Sequence, residues 1–452
     1  MNLPLDYTLS GCRLNNSGVV KISGIPEGFD AFWLAKIAAD SASEAHLPII
    51  HIARDDARLQ MLSDGISFFA PNIKQIIFPA WDCIPFDRVS PRVDIVSRRL
   101  KALSEILEFD SDNPTIVLTT VNAVTQRIPP RKVFKGACEV IALGDKREQE
   151  SLVLFLEKSG FVRSGNAMEV GEYALRGGIL DIFPASAENP IRLEFFGNEI
   201  DKLRTFDPIT QRSIEEISDF SIGPVGEVTL NPESILQFKT GYRVTFGAVM
   251  DSDPLFESIS AGHRYPGVEH WLPLFHDRLD SFFDYLPQGL IVFDHLADQA
   301  LSDRHESITD YYDARIKGQF LGASREKTNY KALPPELLYI DKKEWEELLS
   351  DRPVAHLTQF ESSIGSKSEM VSLEAQIGRD FSAERKRGHD NLYEELSKYL
   401  AKCSRKGGQI LIAAWSLGTR DRLQRLIEEN KIAEVAQVNE WTASISLPKG
   451  VV

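Results

Sequence analysis

Cysteine is scarce in this chain. Four occur in 452 residues (Cys12, Cys83, Cys138 and Cys403), and none form a CxxC pair. That scatter argues against a zinc ribbon and a disulfide framework and suits a reducing cytoplasm. Positive charge is also in short supply: 51 Lys and Arg face 66 Asp and Glu, a formal net charge of −15. Affinity for a phosphate backbone comes mostly from lysines and arginines that release counterions, so any DNA contact is expected to be local or absent. Long apolar runs are missing as well. No stretch approaches the ~20 apolar residues needed to cross a bilayer, and the opening MNLPLDYTLSGCRL has neither a basic region nor an apolar core, so no membrane partner is expected.

The catalytic motifs are the next absence. A phosphate loop, G-x-x-x-x-G-K-[ST], needs glycine amides to cradle phosphate, a lysine to neutralise it and a hydroxyl for magnesium. The segment SGIPEGFDAFWLAKIAAD (23–40) sits where an α/β nucleotide-binding domain carries this loop. Aligned on Gly28, its lysine position is Phe29 and its hydroxyl position is Asp30. A ring cannot neutralise phosphate and a carboxylate repels it, so the expectation is a degenerate loop without ATP, and no cofactor. No GxSxG, HExxH or paired-carboxylate motif occurs. His263, His270 and His276 lack a spacing that aims them at one metal.

What remains is the rhythm of an α/β protein. Short apolar runs at 47–53, 74–79 and 115–121 alternate with helical patterns such as RDDARLQMLSDG, which predicts a parallel sheet flanked by helices. In SPRVDIVSRRLKALSEIL, Ser90 is the expected N-cap, Pro91 the first helical residue, and Val96, Leu100, Leu103 and Leu107 the buried stripe. From Cys138 the pattern changes to one helix and several short strands with Gly, Pro and Asn turns, a small α+β module. Mixed helix and strand return after 224, including QGLIVFD (288–294); ESSIGSKSE (361–369) reads as a linker, and GQILIAAW (408–415) as a strand of a small terminal α/β unit. The run ERKRGH (384–389) reads as a solvated helix face, and Trp81, Phe86 and Trp271 as packing residues. The polar-tail-free end, ASISLPKGVV, suggests a truncated chain.

One stretch departs from ordinary patterning. NPIRLEFFGNEID (189–201) reads as two strands joined by a Gly197-Asn198 turn. Alternation sets Ile191, Leu193 and Phe195 on one face and Arg192, Glu194 and Phe196 on the other, so an aromatic stands among charges. A two-residue turn would set Phe196 opposite Glu199 and Glu194 opposite Asp201, a costly like-charge pair. Arginines, carboxylates and one exposed aromatic have the composition of an interface hot spot, although a solvated strand is the plainer reading.

Three segments carry a family resemblance: FPAWDCIPFDRVSPRVDIVSRRLKAL (78–103), VNAVTQRIPP (121–130) and GEYALRGGILDIFPASAENPIRLEFFGNEIDKLRTFDPITQRS (171–213). Together they closely resemble the N-terminal half of the bacterial transcription-repair coupling factors, the Mfd family, which is similar to the repair protein UvrB. The resemblance implies a helicase-like, parallel-sheet α/β unit (UvrB-like 1a and 1b) with a degenerate phosphate loop at Gly28, Phe29 and Asp30. Into it would be inserted a small α+β domain 2, and a small α/β domain 3 would follow. The implied boundaries are 1–137 for domain 1a, 138–223 for domain 2, 224–367 for domain 1b and 368–452 for domain 3.

The same resemblance implies that UvrA is bound through Arg176, Arg192 and Phe196, with Glu194, Phe195 and Arg204 as neighbours of that patch. The 78–94 connection is too short and too poor in aromatics for the DNA-clamping hairpin of UvrB. RNA-polymerase-binding and ATP-driven translocase domains would belong to the parent protein, together with contact to RNA polymerase and double-stranded DNA. The expected function is therefore non-enzymatic recruitment of UvrA by UvrB mimicry. Two alternatives stand beside it: an ATP-dependent damaged-DNA-binding protein, and a brake folded back on the parent motor.

Overall fold

Four short apolar runs, Ile49–Ala53, Lys74–Phe78, Thr115–Thr120 and Leu290–Phe293, fold as neighbouring strands of one parallel sheet. Strands covered on both faces read as continuous apolar runs, and every residue of Ile49–Ala53 and Thr115–Thr120 is buried. The computed structural model describes residues 18–40, 47–110, 113–134, 139–185, 187–249, 253–317, 330–360, 369–387, 389–405, 410–414, 416–438 and 441. The 443–452 end, most of the expected linker, Cys12 and Cys138 lie outside these described residues.

In chain order the described strands are β1 (Gly18–Ser23), β2 (Ile49–Ala53), β3 (Lys74–Phe78), β4 (Thr115–Thr120), β5 (Glu139–Ala142), β6 (Val162–Arg163), β7 (Glu172–Arg176) and β8 (Ile179–Ile182). They continue with β9 (Ile191–Phe196), β10 (Glu199–Phe206), β11 (Ser213–Glu216), β12 (Asp219–Ile222), β13 (Leu290–Phe293), β14 (Pro353–Leu357) and β15 (Glu369–Ser372). The first sheet has the order β15-β1-β14-β13-β2-β4-β3, all parallel. Helices α1 (Phe29–Asp40), α2 (Asp56–Phe69) and α3 (Val93–Leu107) help to cover it. One face buries Ile50, Phe78, Val117 and Phe293 with Leu100 and Leu103 of α3; the other buries Ile49, Ile116 and Val292 with Trp33 and Leu34 of α1.

The second sheet, β11-β10-β9-β8-β7-β6, is antiparallel except for the β6–β7 pair, and β5 and β12 form a separate ribbon. Its chain lies between β4 and β13, so the first sheet is assembled from two separate parts of the sequence, as expected for an inserted module. After β12, helices Pro232–Phe246 and Pro254–Ser260 and the 3-10 segment Val268–Phe275 pack together with Trp81, Phe86 and Trp271, which are all buried. No helix among the described residues is long and apolar enough to cross a membrane.

Three local expectations are corrected. Helix α3 begins at Val93 with Arg92 as its N-cap, and the Ser90 hydroxyl instead accepts the Gly267 N–H at 2.9 Å. Residues 410–414 form no strand, although the helix expected after them is present as Leu417–Glu429. The segment Glu369–Ser372, expected to open the terminal unit, pairs with β1 as an edge of the first sheet. Its backbone continues past Gly24, where the Ala375 N–H donates to the Gly24 carbonyl at 3.1 Å.

Candidate interaction site

At the segment expected to be a degenerate phosphate loop, a carboxylate of the chain itself takes helix-start amides. Strand β1 leads through a turn to Gly28, whose φ of +94° is a glycine conformation, and α1 starts at the next residue. Asp30 Oδ1 accepts the N–H groups of Gly28 at 2.9 Å and Ala31 at 2.8 Å, amides that an anion would take at a helix start. Its other oxygen meets the Arg58 guanidinium of α2, and Arg58 Nε lies 3.2 Å from Asp294 Oδ1 at the end of β13. All three side chains are buried. Arg54 closes the mouth, 2.7 Å from Glu27 and 3.5 Å from Asp294. Burial alone would raise the Glu27 carboxyl, but the Arg54 hydrogen bond and the charges of Arg58 and Arg54 bring it below its usual range. Phe29 packs against the core beside α1. These paired charges lie at the carboxyl ends of the strands, where open α/β sheets hold ligands.

His270 is buried with its Nε2 3.7 Å from the Cys83 sulfur, and burial pushes its pKa down to about 4 while pushing the thiol up to about 12. Neutral imidazole and protonated thiol are a packing pair, not a nucleophile and its base. Among the described residues no three His, Cys, Asp or Glu side chains are arranged to hold a metal.

The second sheet is different in kind, because its two faces have opposite chemistry. Tyr173, Leu180, Ile182, Ile191, Leu193, Ile200 and Leu203 point to its core. On the other face, cross-strand pairing sets Arg176, Ile179, Glu194 and Lys202 in one row and Ala174, Asp181, Arg192 and Arg204 in the next. Phe196 pairs with Glu199 across the Gly197-Asn198 turn, as the alternation requires, and it is 82% exposed. Arg176, Arg192, Glu194, Phe196 and Arg204 therefore share one face. Phe195 lies on the other and packs half-buried against the core.

The expected Glu194–Asp201 opposition does not form. A register shift between Ile200 and Lys202 brings Lys202 opposite Glu194, with Nζ 3.6 Å from the carboxylate. Arg204 Nη2 lies 3.3 Å from the other oxygen of Glu194. One bulged residue thereby replaces a like-charge pair by an opposite-charge one.

The two arginines are held differently. Arg192 grips buried Asp181 with both edges of its fork, Nε to Oδ1 at 2.7 Å and Nη2 to Oδ2 at 2.9 Å. Its guanidinium lies 4.5 Å over the Phe206 ring, and the Asp181 hydrogen bond raises its pKa further. Arg176 is exposed beside the Gly177-Gly178 turn and donates to the Gly165 carbonyl at 2.9 Å and to Asn166. Sequence patterning missed Asp181 and also Ile209, which is 82% exposed at the loop after β10. Alternation within β8 marks Asp181 as facing the polar side, but only the strand register names its partner.

Residues 140–227, which contain this sheet, match the UvrB interaction domain family. The chain is 30% identical over 401 residues to the transcription-repair-coupling factor of Rickettsia conorii, 88% of this chain and 34% of that protein. It is 28% identical over 402 residues to the transcription-repair-coupling factor of Escherichia coli, 88% of this chain and 33% of that one. Against the Bacillus subtilis protein of the same name it is 26% identical over 301 residues, 61% of this chain and 25% of the relative. The chain thus spans about a third of the length of the first two relatives. By this similarity it belongs to the transcription-repair-coupling factor family, matched over a part that carries the UvrB interaction domain.

Proposed function

We propose that the chain recruits UvrA in transcription-coupled nucleotide excision repair by presenting a face that mimics UvrB. The observation that carries this reading is Phe196, an 82% exposed aromatic on the polar face of a sheet matched by the UvrB interaction domain family. Arg176 and Arg192 flank it on the same face. Of these, exposed Phe196 and Arg176 have the composition of the anchors that carry most of the binding energy in ordinary interfaces, while Arg192 is committed to Asp181. ATP plays no part in this role within the chain, a reading supported by Asp30 on the helix amides that phosphate would take. RNA polymerase, double-stranded DNA and translocation belong, on this proposal, to other parts of such coupling factors.

Calorimetric titration of UvrA into the purified chain and its Phe196→Ala variant tests the reading. Truncating the ring removes an anchor that packs against little of its own chain, so the thermal midpoint stays while binding weakens by about 2 kcal/mol, roughly thirtyfold. Unchanged affinity in the folded variant places the recognition face elsewhere.

A further inference from the structure

The loop that leaves β10 is built as a stiff support for an apolar tip. Asp207 Oδ1 accepts the N–H of Ile209 at 3.0 Å, the N–H of Thr210 at 2.6 Å and the Thr210 hydroxyl at 2.9 Å. The Asp207 N–H donates to the Arg212 carbonyl at 2.9 Å, the Gln211 N–H donates to the Asp207 carbonyl at 2.8 Å, and Gln211 Nε2 donates to the Pro208 carbonyl at 2.8 Å. Gln211 itself takes a φ of +60°, left-handed backbone that a non-glycine residue keeps only where its surroundings impose it. All this order holds up Ile209, a β-branched aliphatic left 82% exposed. A single exposed aliphatic is commonplace, but one fixed on a braced, strained loop is not.

Arg192 joins this loop to the face. While its fork grips Asp181, Nη1 lies 3.5 Å from the Gln211 carbonyl and Nη2 lies 3.4 Å from the Gln211 side-chain oxygen. A guanidinium with these partners already in place has little left to offer another protein.

We propose that Ile209 is a second apolar anchor for UvrA and that Arg192 is a positioning residue, holding the 207–212 loop in place for it. This rests on the reading of the face as UvrA-binding. Phe196 stands four residues from Arg192 along β9, about 14 Å at ~3.4 Å per residue, at the end of the strand away from the loop. Between them Glu194 is matched by Lys202 and Arg204, so the middle of the face is largely self-neutralised. The partner surface therefore needs two apolar seats on either side of a polar strip. UvrA is the occupant because the loop continues the face of a domain matched as a UvrB interaction domain.

The test titrates UvrA against the full chain and its Phe196→Ala, Ile209→Ser, Arg192→Ala and Arg192→Ala/Ile209→Ser variants, with thermal melts and amide hydrogen exchange of residues 209–211. Ile209→Ser is expected to weaken binding by about tenfold at an unchanged melting temperature. Arg192→Ala is expected to weaken binding and to speed exchange in the loop. The double variant should then bind more tightly than the product of the two single effects predicts, because both act through one anchor. Full binding by Ile209→Ser alongside loss in Phe196→Ala overturns the second anchor and leaves the face intact. Full binding by both overturns the UvrA reading itself. Unchanged loop exchange in Arg192→Ala with independent effects in the double variant overturns the positioning role.

Discussion

Arg58→Ala lowers the unfolding free energy by about 3–5 kcal/mol, the cost of removing one member of a buried ion cluster. The residue is 2% exposed and stands between Asp30 and Asp294, both buried. Removing it leaves buried Asp30 to its two amides and buried Asp294 to Arg54, 3.5 Å away, and the two carboxylates repel one another across the vacated space. Urea unfolding followed by far-UV circular dichroism reads the loss as a lower midpoint. In an Asp30→Asn, Asp294→Asn background the same substitution is expected to cost less, because neutral amides tolerate burial better than unpaired charges. A loss below about 1 kcal/mol in the native background would mean that the network is hydrated and contributes little.

Arg99→Ala is expected to cost a similar 3–5 kcal/mol, for a different structural reason. Arg99 of α3 and Glu227 are both fully buried side chains, 2.5 Å apart. Arg99 also donates to the Pro79 carbonyl at 2.7 Å and covers the Phe78 ring at 4.4 Å, while the Trp81 indole donates to Glu227 at 3.2 Å. Glu227 is the last residue matched by the UvrB interaction domain family, so the cluster ties the exit of that module to the first sheet. Losing the cation leaves the Glu227 carboxylate buried with only the indole for a partner. The near-UV dichroism of Trp81 should change together with the fall in stability. An unaltered spectrum with a small stability loss would show that this tie does not organise the junction.

The sequence disclosed the parts whose physics is local. Runs such as IIHIA and TIVLTT could be read as buried parallel strands because both faces of each are covered, and the alternation in IRLEFF set Phe196 on the outer face before any strand was paired. What stayed hidden depends on register and on distant partners. The bulge at Asp201 sets Lys202 rather than Asp201 opposite Glu194, and nothing in the local pattern says which residue a bulge will skip. The Arg192–Asp181 fork depends on the pairing of β8 with β9 across a turn without periodicity. Phe29 and Asp30 could be read locally as departures from a phosphate-loop pattern, yet the pairing of Asp30 with Arg58, and of Arg58 with Asp294, becomes visible only in the fold. Ser90 shows the limit of capping rules, since its hydroxyl satisfies a loop amide rather than the neighbouring helix.

The most direct test of UvrB mimicry is competition. This chain carrying a fluorescent label is saturated with UvrA, and UvrB is then titrated in while the bound fraction of the chain is followed by anisotropy. The account predicts that UvrB displaces the chain completely, because both present the same kind of face to one site on UvrA. A stable ternary complex, with the chain retained at saturating UvrB, would contradict it.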